Sequence, residues 1–280
     1  MTISSYAGRT AFITGGASGI GLGIAKALSA RGARIVIADL RPDHIEVALA
    51  QFSGGERSNS VSAIELDVNN REAYADAANK MQADFDGIDI LINNAGVGVE
   101  GPVLEARYAD WDFGLGVNLS GVVNGLQTFL PQMIAHGRGG HVVNTSSLAA
   151  AVMMPEQFVI YSAGKAAVLN LSENMREVLA DKGIGMSVLL PAFVKSNIHE
   201  AAQNRPEHLR AGSGFGASEK ALSEREIAAD WMEPDDVGEI VADGVLKNDL
   251  YIITHGEFKN LMRKRAEAML DATPESDFQF

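Results

Sequence analysis

Tyr161 and Lys165 stand four residues apart in Tyr161-Ser162-Ala163-Gly164-Lys165. On a helix that spacing turns both side chains the same way, which brings the Lys165 ammonium near the Tyr161 phenol. A free phenol ionises near pH ~10, too high for a base at neutral pH, and a neighbouring cation favours the phenolate. A phenol so tuned can take the proton of an alcohol while a hydride leaves the same carbon. Upstream, Ser146 and Ser147 follow the β-branched run His141–Thr145. A hydroxyl at the carboxyl end of that strand can hold a substrate oxygen beside the phenol. A lone YxxxK or a lone strand-end serine is a common structural feature; their conjunction is what points to chemistry.

A second group of residues reads as a phosphate site. Thr14-Gly15-Gly16-Ala17-Ser18-Gly19-Ile20-Gly21 follows an apolar run and opens a helical one. Gly15 permits a tight turn, and Gly19 lets backbone approach a pyrophosphate without a Cβ in the way. The free N–H groups and dipole of the helix then favour the phosphate charge. Asp39 ends the second apolar run, where a carboxylate accepts hydrogen bonds from the ribose hydroxyls and repels a 2'-phosphate. Ser18 and Leu40 supply no cation to hold such a phosphate, and Arg41 is the one basic residue close by in sequence. The cofactor expected is therefore NAD.

These residues require a scaffold that presents them at one edge. Arg9–Thr14, Arg34–Ala38, Ser62–Leu66, Ile88–Ile92, His141–Thr145, Met186–Leu190 and Tyr251–Thr254 read as strands. Most are nearly continuous in apolar residues, which suits parallel strands buried on both faces. Helix-like segments such as Gly19–Arg31, Arg71–Phe85 and Glu233–Lys247 lie between them. The alternation predicts an α/β fold with one doubly wound parallel sheet of Rossmann type, helices on both faces, and a single domain over residues 1–280. Ser196–Trp231 breaks the rhythm. It is polar, contains Arg205-Pro206 and Gly212-Ser213-Gly214, and follows a strand's carboxyl end, where open α/β sheets place ligands. It is predicted to be a mobile substrate lid with short helices of its own.

The net charge of -13 disfavours binding to nucleic acid or to an anionic membrane surface. There are no cysteines, hence no disulfides or thiolate metal site. The six histidines, at 44, 136, 141, 199, 208 and 255, show no ligand spacing, so no metal is expected. His199 and His208 are read as surface residues of the lid. The N-terminus lacks a basic region followed by an apolar one, and no apolar run approaches the roughly 18 residues that span a bilayer. A soluble protein, cytoplasmic in a bacterium, is the expectation.

In sum of motifs the chain resembles the short-chain dehydrogenase/reductase family over nearly its whole length. The resemblance rests on TGGASGIG at 14–21, Asp67-Val68, Asn93-Asn94-Ala95-Gly96, Asn118, Asn144-Thr145-Ser146-Ser147, Tyr161 with Lys165, and Pro191 to Ser196, in that order. It implies that Asp67 and Val68 flank an adenine and that Asn94, Ala95 and Gly96 line the cofactor beside the fourth strand. It further implies that Asn118 holds a water joining Lys165 to solvent, that Ser147 is the catalytic serine, and that Val194 and Ser196 contact the nicotinamide carboxamide. Two features depart from the family pattern: Pro191-Ala192 replaces the usual Pro-Gly, and the Ser147-to-Tyr161 spacing is one residue longer than expected. A homodimer or homotetramer is implied as well.

A narrower resemblance covers the C-terminal half. Lys195 to Glu200, Asn204 to Glu207, Arg210 to Gly214, Asp230 to Pro234 and Leu250 to Gly256 are similar to the NAD-dependent Cα-dehydrogenases of bacterial lignin β-aryl ether catabolism. This implies oxidation of a benzylic secondary alcohol to a ketone. Met153, Met154, Phe158, Phe193 and Trp231 are candidates for the wall of an aromatic pocket. A ketoreductase of the same fold acting on another bulky hydroxy or keto substrate fits the same residues. A non-catalytic dinucleotide sensor fits poorly, because Asn118, Ser147, Tyr161 and Lys165 are all present.

Overall fold

Seven apolar runs become seven strands: β1 (Thr10–Thr14), β2 (Arg34–Asp39), β3 (Val61–Glu65), β4 (Ile90–Asn93), β5 (Gly140–Thr145), β6 (Ile184–Leu190) and β7 (Tyr251–Ile253). This computed structural model describes residues 3–53, 60–224 and 228–275. The extreme ends of the expected 1–280 domain, and residues 225–227 of the expected lid, lie outside the described residues. All seven strands pair in parallel in one sheet of order β3-β2-β1-β4-β5-β6-β7. The direction of winding reverses between β1 and β4, and a crevice opens there at the carboxyl ends of the strands.

The connecting helices are α1 (Gly19–Ala30), α2 (Pro42–Ala50), α3 (Arg71–Phe85), α4 (Tyr108–Leu115), α5 (Gly121–His136), α6 (Val159–Ala180), α7 (Glu207–Arg210), α8 (Gly216–Ser223), α9 (Pro234–Lys247) and α10 (Lys259–Asp271). Two apolar clusters sandwich the sheet. One joins Ile24 and Leu28 of α1 and Val237 and Val241 of α9 to Ile13, Ile37 and Ile92. The other joins Tyr74 and Met81 of α3, Leu126 and Phe129 of α5, and Val168 of α6 to Phe12, Leu91 and Val142. β1, β4, β5 and β6 are buried along their whole length, which is why they read as unbroken apolar runs.

Between α4 and α5 the chain makes a π-helical turn over Gly116–Ser120, which contains Asn118. Such turns interrupt regular helical pairing and occur at functional sites. The segment expected as a lid has short helices of its own: a 3₁₀ stretch over Asn197–Asn204, then α7 and α8. Its base is pinched shut by the bridge between Val194 and Met232, with Met232 N donating to Phe193 O at 3.0 Å and Lys195 paired with Glu233. Its middle is anchored by fully buried Arg205 and Phe215, so it is a packed cover rather than a polar excursion. Among the described residues no helix is long and apolar enough to cross a membrane.

The sheet buries one titratable group with a consequence for stability. His141 in β5 places its Nε2 2.8 Å from Ser187 Oγ, and Ser187 donates its own proton to Asp249 O at 2.5 Å. The imidazole is therefore the Nε2–H donor, and its Nδ1 lies buried without a partner. Burial, with a smaller contribution from the Arg176 cation, pulls its pKa from the ordinary 6.5 down to about 3. Between those values the unfolded chain binds the proton and the native one does not, so stability falls as pH drops below 6.5. Urea unfolding should show His141 contributing a loss of about 2 kcal/mol between pH 7 and pH 5. His141→Gln should remove that part of the pH dependence; an unchanged slope would show that His141 takes up its proton in the native state.

Candidate active site

The glycine turn sits at the reversal point, with no room for a side chain at Gly15 or Gly19. Gly15 and Gly19 have φ of +61° and +49°, and a Cβ added to them would lie 2.9 Å from Ala95 Cα and Ser196 Cβ respectively. Both positions therefore require glycine. Ser18 is the N-cap of α1 but makes no side-chain capping bond, and the first turn of α1 holds no acid. By contrast Asn70 caps α3 and Asp110 closes a capping box on α4. An uncapped helix terminus that opens on a cavity, behind a glycine-rich turn, fits a dinucleotide pyrophosphate.

Asp39 faces this turn. Its Oδ2 accepts from Ala17 N and its Oδ1 from Arg41 N, each at 3.1 Å. The Arg41 guanidinium is turned onto Asp43 by two bonds of 2.8 and 2.5 Å. A bidentate pair of this kind uses the donors that a 2'-phosphate would need. Asp67 and Val68, at the end of β3, line the far side of the same cavity.

Asn94 joins the turn to the catalytic strand. Its Nδ2 donates to Thr14 O and Gly15 O at 3.2 Å each, and its Oδ1 accepts from Thr145 Oγ1 at 3.3 Å. Thr145 O in turn accepts from Lys165 Nζ at 3.0 Å. Lys165 is buried, and that burial lowers its pKa from 10.5 to about 8. Tyr161, one turn earlier on α6, lies with Lys165 Nζ 5.8 Å from its ring centroid. The two serines diverge. Both line the cavity, but Ser146 Oγ donates to Lys165 O at 2.7 Å, whereas Ser147 Oγ accepts from Ala149 N at 3.1 Å, lies 3.4 Å from Pro191 O and reaches the Tyr161 phenol.

The phenol departs from expectation. Its pKa is raised above the ordinary 10.0 rather than lowered: desolvation is the largest cause, the Ser147 hydrogen bond opposes it and the negative Glu100 adds to it, with the Tyr161 side chain itself half-buried. At that distance, and itself desolvated, Lys165 does not overcome the burial of the phenol. Asn118 departs too. It is fully buried outside the cavity lining, and its side chain is committed to Val97, accepting from Val97 N at 3.0 Å and donating to Val97 O at 2.9 Å.

All of the expected cofactor residues line one cavity of about 380 Å³: Gly15, Ser18, Gly19, Ile20, Asp39, Asp67, Val68, Asn94, Ala95, Gly96, Tyr161, Lys165, Val194 and Ser196. Met154, Phe158, Phe193 and Trp231 line its other end. Phe193 sits 5.4 Å from Trp231 and 5.9 Å from Phe258, ring centre to centre. Met153 does not join them; it is 70% exposed, because the bend after β5 turns its side chain to solvent while Met154 points inward. Phe113, Glu100, Leu222 and Phe258 also line the cavity and were not anticipated. Phe258 follows the carboxyl end of β7, a position that alone marks it as a candidate. Phe113 and Leu222 lie on helices whose cavity-facing side is set by the cover. His199 and His208 do not line the cavity. Among the described residues no three His, Asp or Glu are grouped to hold a metal ion.

The short chain dehydrogenase family model matches residues 9–207, and the chain belongs to that family of oxidoreductases. A C alpha-dehydrogenase of Sphingobium sp. strain SYK-6 is 42% identical over 98% of this chain and 90% of its own length. The structure of LigD in its apo form from the same strain superposes with a TM-score of 0.79, at 37% identity over 97% of this chain and 100% of that one. A short-chain dehydrogenase/reductase of Burkholderia phymatum, solved in complex with NAD, superposes with a TM-score of 0.88, at 29% identity over 99% and 100% of the two chains.

The two serines can be separated by experiment. Ser147→Ala removes the bond that holds the phenol down and should lower turnover by about 10²-fold. Ser146→Ala should leave turnover within a few-fold and instead cost about 1 kcal/mol of stability in urea. The reverse pattern would move the catalytic hydroxyl to Ser146.

Proposed function

We propose that this enzyme oxidises a benzylic secondary alcohol to the ketone, with NAD as cofactor and Tyr161 as general base. The observation that carries this reading is one cavity with two unlike ends. Asp39 and the uncapped glycine turn form one end, aromatic side chains the other, and Tyr161 with Ser147 stands between them. The 42% identical Cα-dehydrogenase and the resemblance of the C-terminal half support a lignin-type β-aryl ether alcohol as substrate.

Bound NAD⁺ supplies the hydride acceptor. Ser147 Oγ holds the substrate oxygen, and Phe193, Trp231 and Met154 offer an apolar face to its aryl ring. As the carbinol C–H bond breaks, Tyr161 Oη takes the hydroxyl proton and the C=O bond forms. Desolvation holds the phenol above its ordinary value, and the positive charge of an oxidised nicotinamide would lower it. Lys165 stabilises the phenolate in turn. A water held by Asn118 then carries the proton onward from Lys165.

Two measurements test the reading. NAD should be preferred over NADP in kcat/KM, and Asp39→Ala should narrow the preference by about tenfold or more, ~1.4 kcal/mol. Tyr161→Phe should lower kcat on a benzylic alcohol by about 10²–10⁴-fold while leaving NAD affinity nearly unchanged. A wild type that prefers NADP, or a Tyr161→Phe variant of near wild-type turnover, contradicts it.

A further inference from the structure

Arg205 is an unusual residue to find in a polar insert. Its side chain is fully enclosed, yet it carries a charge. Its Nη1 lies 3.2 Å from Asp110 and donates to Ala109 O at 3.1 Å, both on α4. Its Nη2 pairs with Glu219 on α8. The guanidinium plane sits 4.5 Å from the ring centre of Phe113, again on α4. Asp110 is itself a junction, with Ser213 donating to its Oδ1 at 2.6 Å and Gly214 N to its Oδ2 at 2.9 Å. One guanidinium thus ties α4, the 3₁₀ stretch and α8 into a unit.

Each element so tied contributes to the wall of the cavity. Phe113 comes from α4, Leu222 stands one turn beyond Glu219 on α8, and Asn204 and Pro206 flank Arg205 itself; all four line it. None of these four belongs to the glycine turn or to the Ser147, Tyr161 and Lys165 group. Stability alone does not account for a buried ion cluster, since apolar residues of similar volume commonly serve as well. What a guanidinium adds is direction: its planar fork fixes several partners at once.

We propose that Arg205 is a specificity-positioning residue that sets the shape of the alcohol end of the cavity through Phe113, Leu222 and its own flanking residues. The proposal rests on the benzylic reading above for its substrate and on the cluster geometry for its mechanism. The clamp predicts that the enzyme discriminates alcohols by bulk, and that the discrimination resides in KM.

The test compares wild type with Arg205→Lys, which keeps the charge and loses the fork, and with Arg205→Met combined with Glu219→Gln. In the second variant Asp110 retains its bonds from Arg107 N, Gly214 N and Ser213, which protects the fold. Substrates are a two-ring β-aryl ether benzylic alcohol and 1-phenylethanol, each with NAD, and hydrogen exchange is followed over 108–115 and 197–223. In both variants kcat/KM for the two-ring alcohol should fall by about tenfold or more through KM, the range that pocket fit controls. Activity on 1-phenylethanol and NAD affinity should stay within about twofold, well inside that effect. Exchange protection over both segments should drop. Equal losses on both alcohols, or unchanged discrimination despite lost protection, overturn the proposal, as does unchanged protection. Should wild type oxidise neither alcohol, the benzylic reading fails separately, and the clamp is decided by exchange alone, where loss in both variants supports it and equal protection overturns it.

Discussion

Lys165 keeps its ammonium 3.0 Å from the carbonyl of Thr145, in a place where burial brings its pKa down to about 8. An ammonium so desolvated is held by a precise surround, and most of the site can be traced from it. Thr145 ends β5, the strand that also carries Ser146 and Ser147. Ser146 holds the backbone of Lys165 from behind at 2.7 Å, while Ser147 reaches the phenol one helical turn away. Asn94 fastens Thr145 to the glycine turn, so hydrogen bonds run unbroken from the cation to that turn. Tyr161 and Lys165 are shifted in opposite directions by the same cause, the phenol upward and the ammonium downward. Burial thus disfavours the charged form of each.

The two ends of the cavity are built on different principles. The cofactor end is made largely of backbone: a turn whose glycines have no space for a Cβ, an uncapped helix, and a carboxylate fastened to main-chain N–H groups. Backbone of this kind can vary little, and it serves the part of the reaction that changes least between substrates. The alcohol end is made of side chains from α4, the cover and the segment after β7. On the proposal above Arg205 holds it together, and Phe193 lies between Trp231 and Phe258, tilted against each.

That division explains what could be read from the residues alone. The strands were legible because burial on both faces forces continuous apolar runs, and their ends were placed to within two residues. The glycine turn, Asp39 and the Tyr161 and Lys165 pair were legible because each depends on short-range spacing. The alcohol end was legible only in part. Met153 and Met154 are indistinguishable by type, and only the local bend turns one outward and the other in. Arg205 looked like one more polar residue of a loose insert, since the partners that bury it lie far along the chain at Asp110 and nearby at Glu219. The upward shift of Tyr161 was hidden for the same reason: spacing reveals the neighbouring cation, but desolvation is a property of the packed site.

We propose, as the central claim, that desolvation disfavours the ionised Tyr161 phenol and that the positive charge of oxidised NAD offsets it. Tyrosinate absorbance titration of wild type minus Tyr161→Phe, with and without saturating NAD⁺, tests it most directly. The account predicts that the Tyr161 signal appears above the ordinary phenol value of 10.0 in the free enzyme, as its burial requires, and moves to lower pH when NAD⁺ is bound. A Tyr161 signal already below that value in the free enzyme, or one that does not move with NAD⁺, would contradict it.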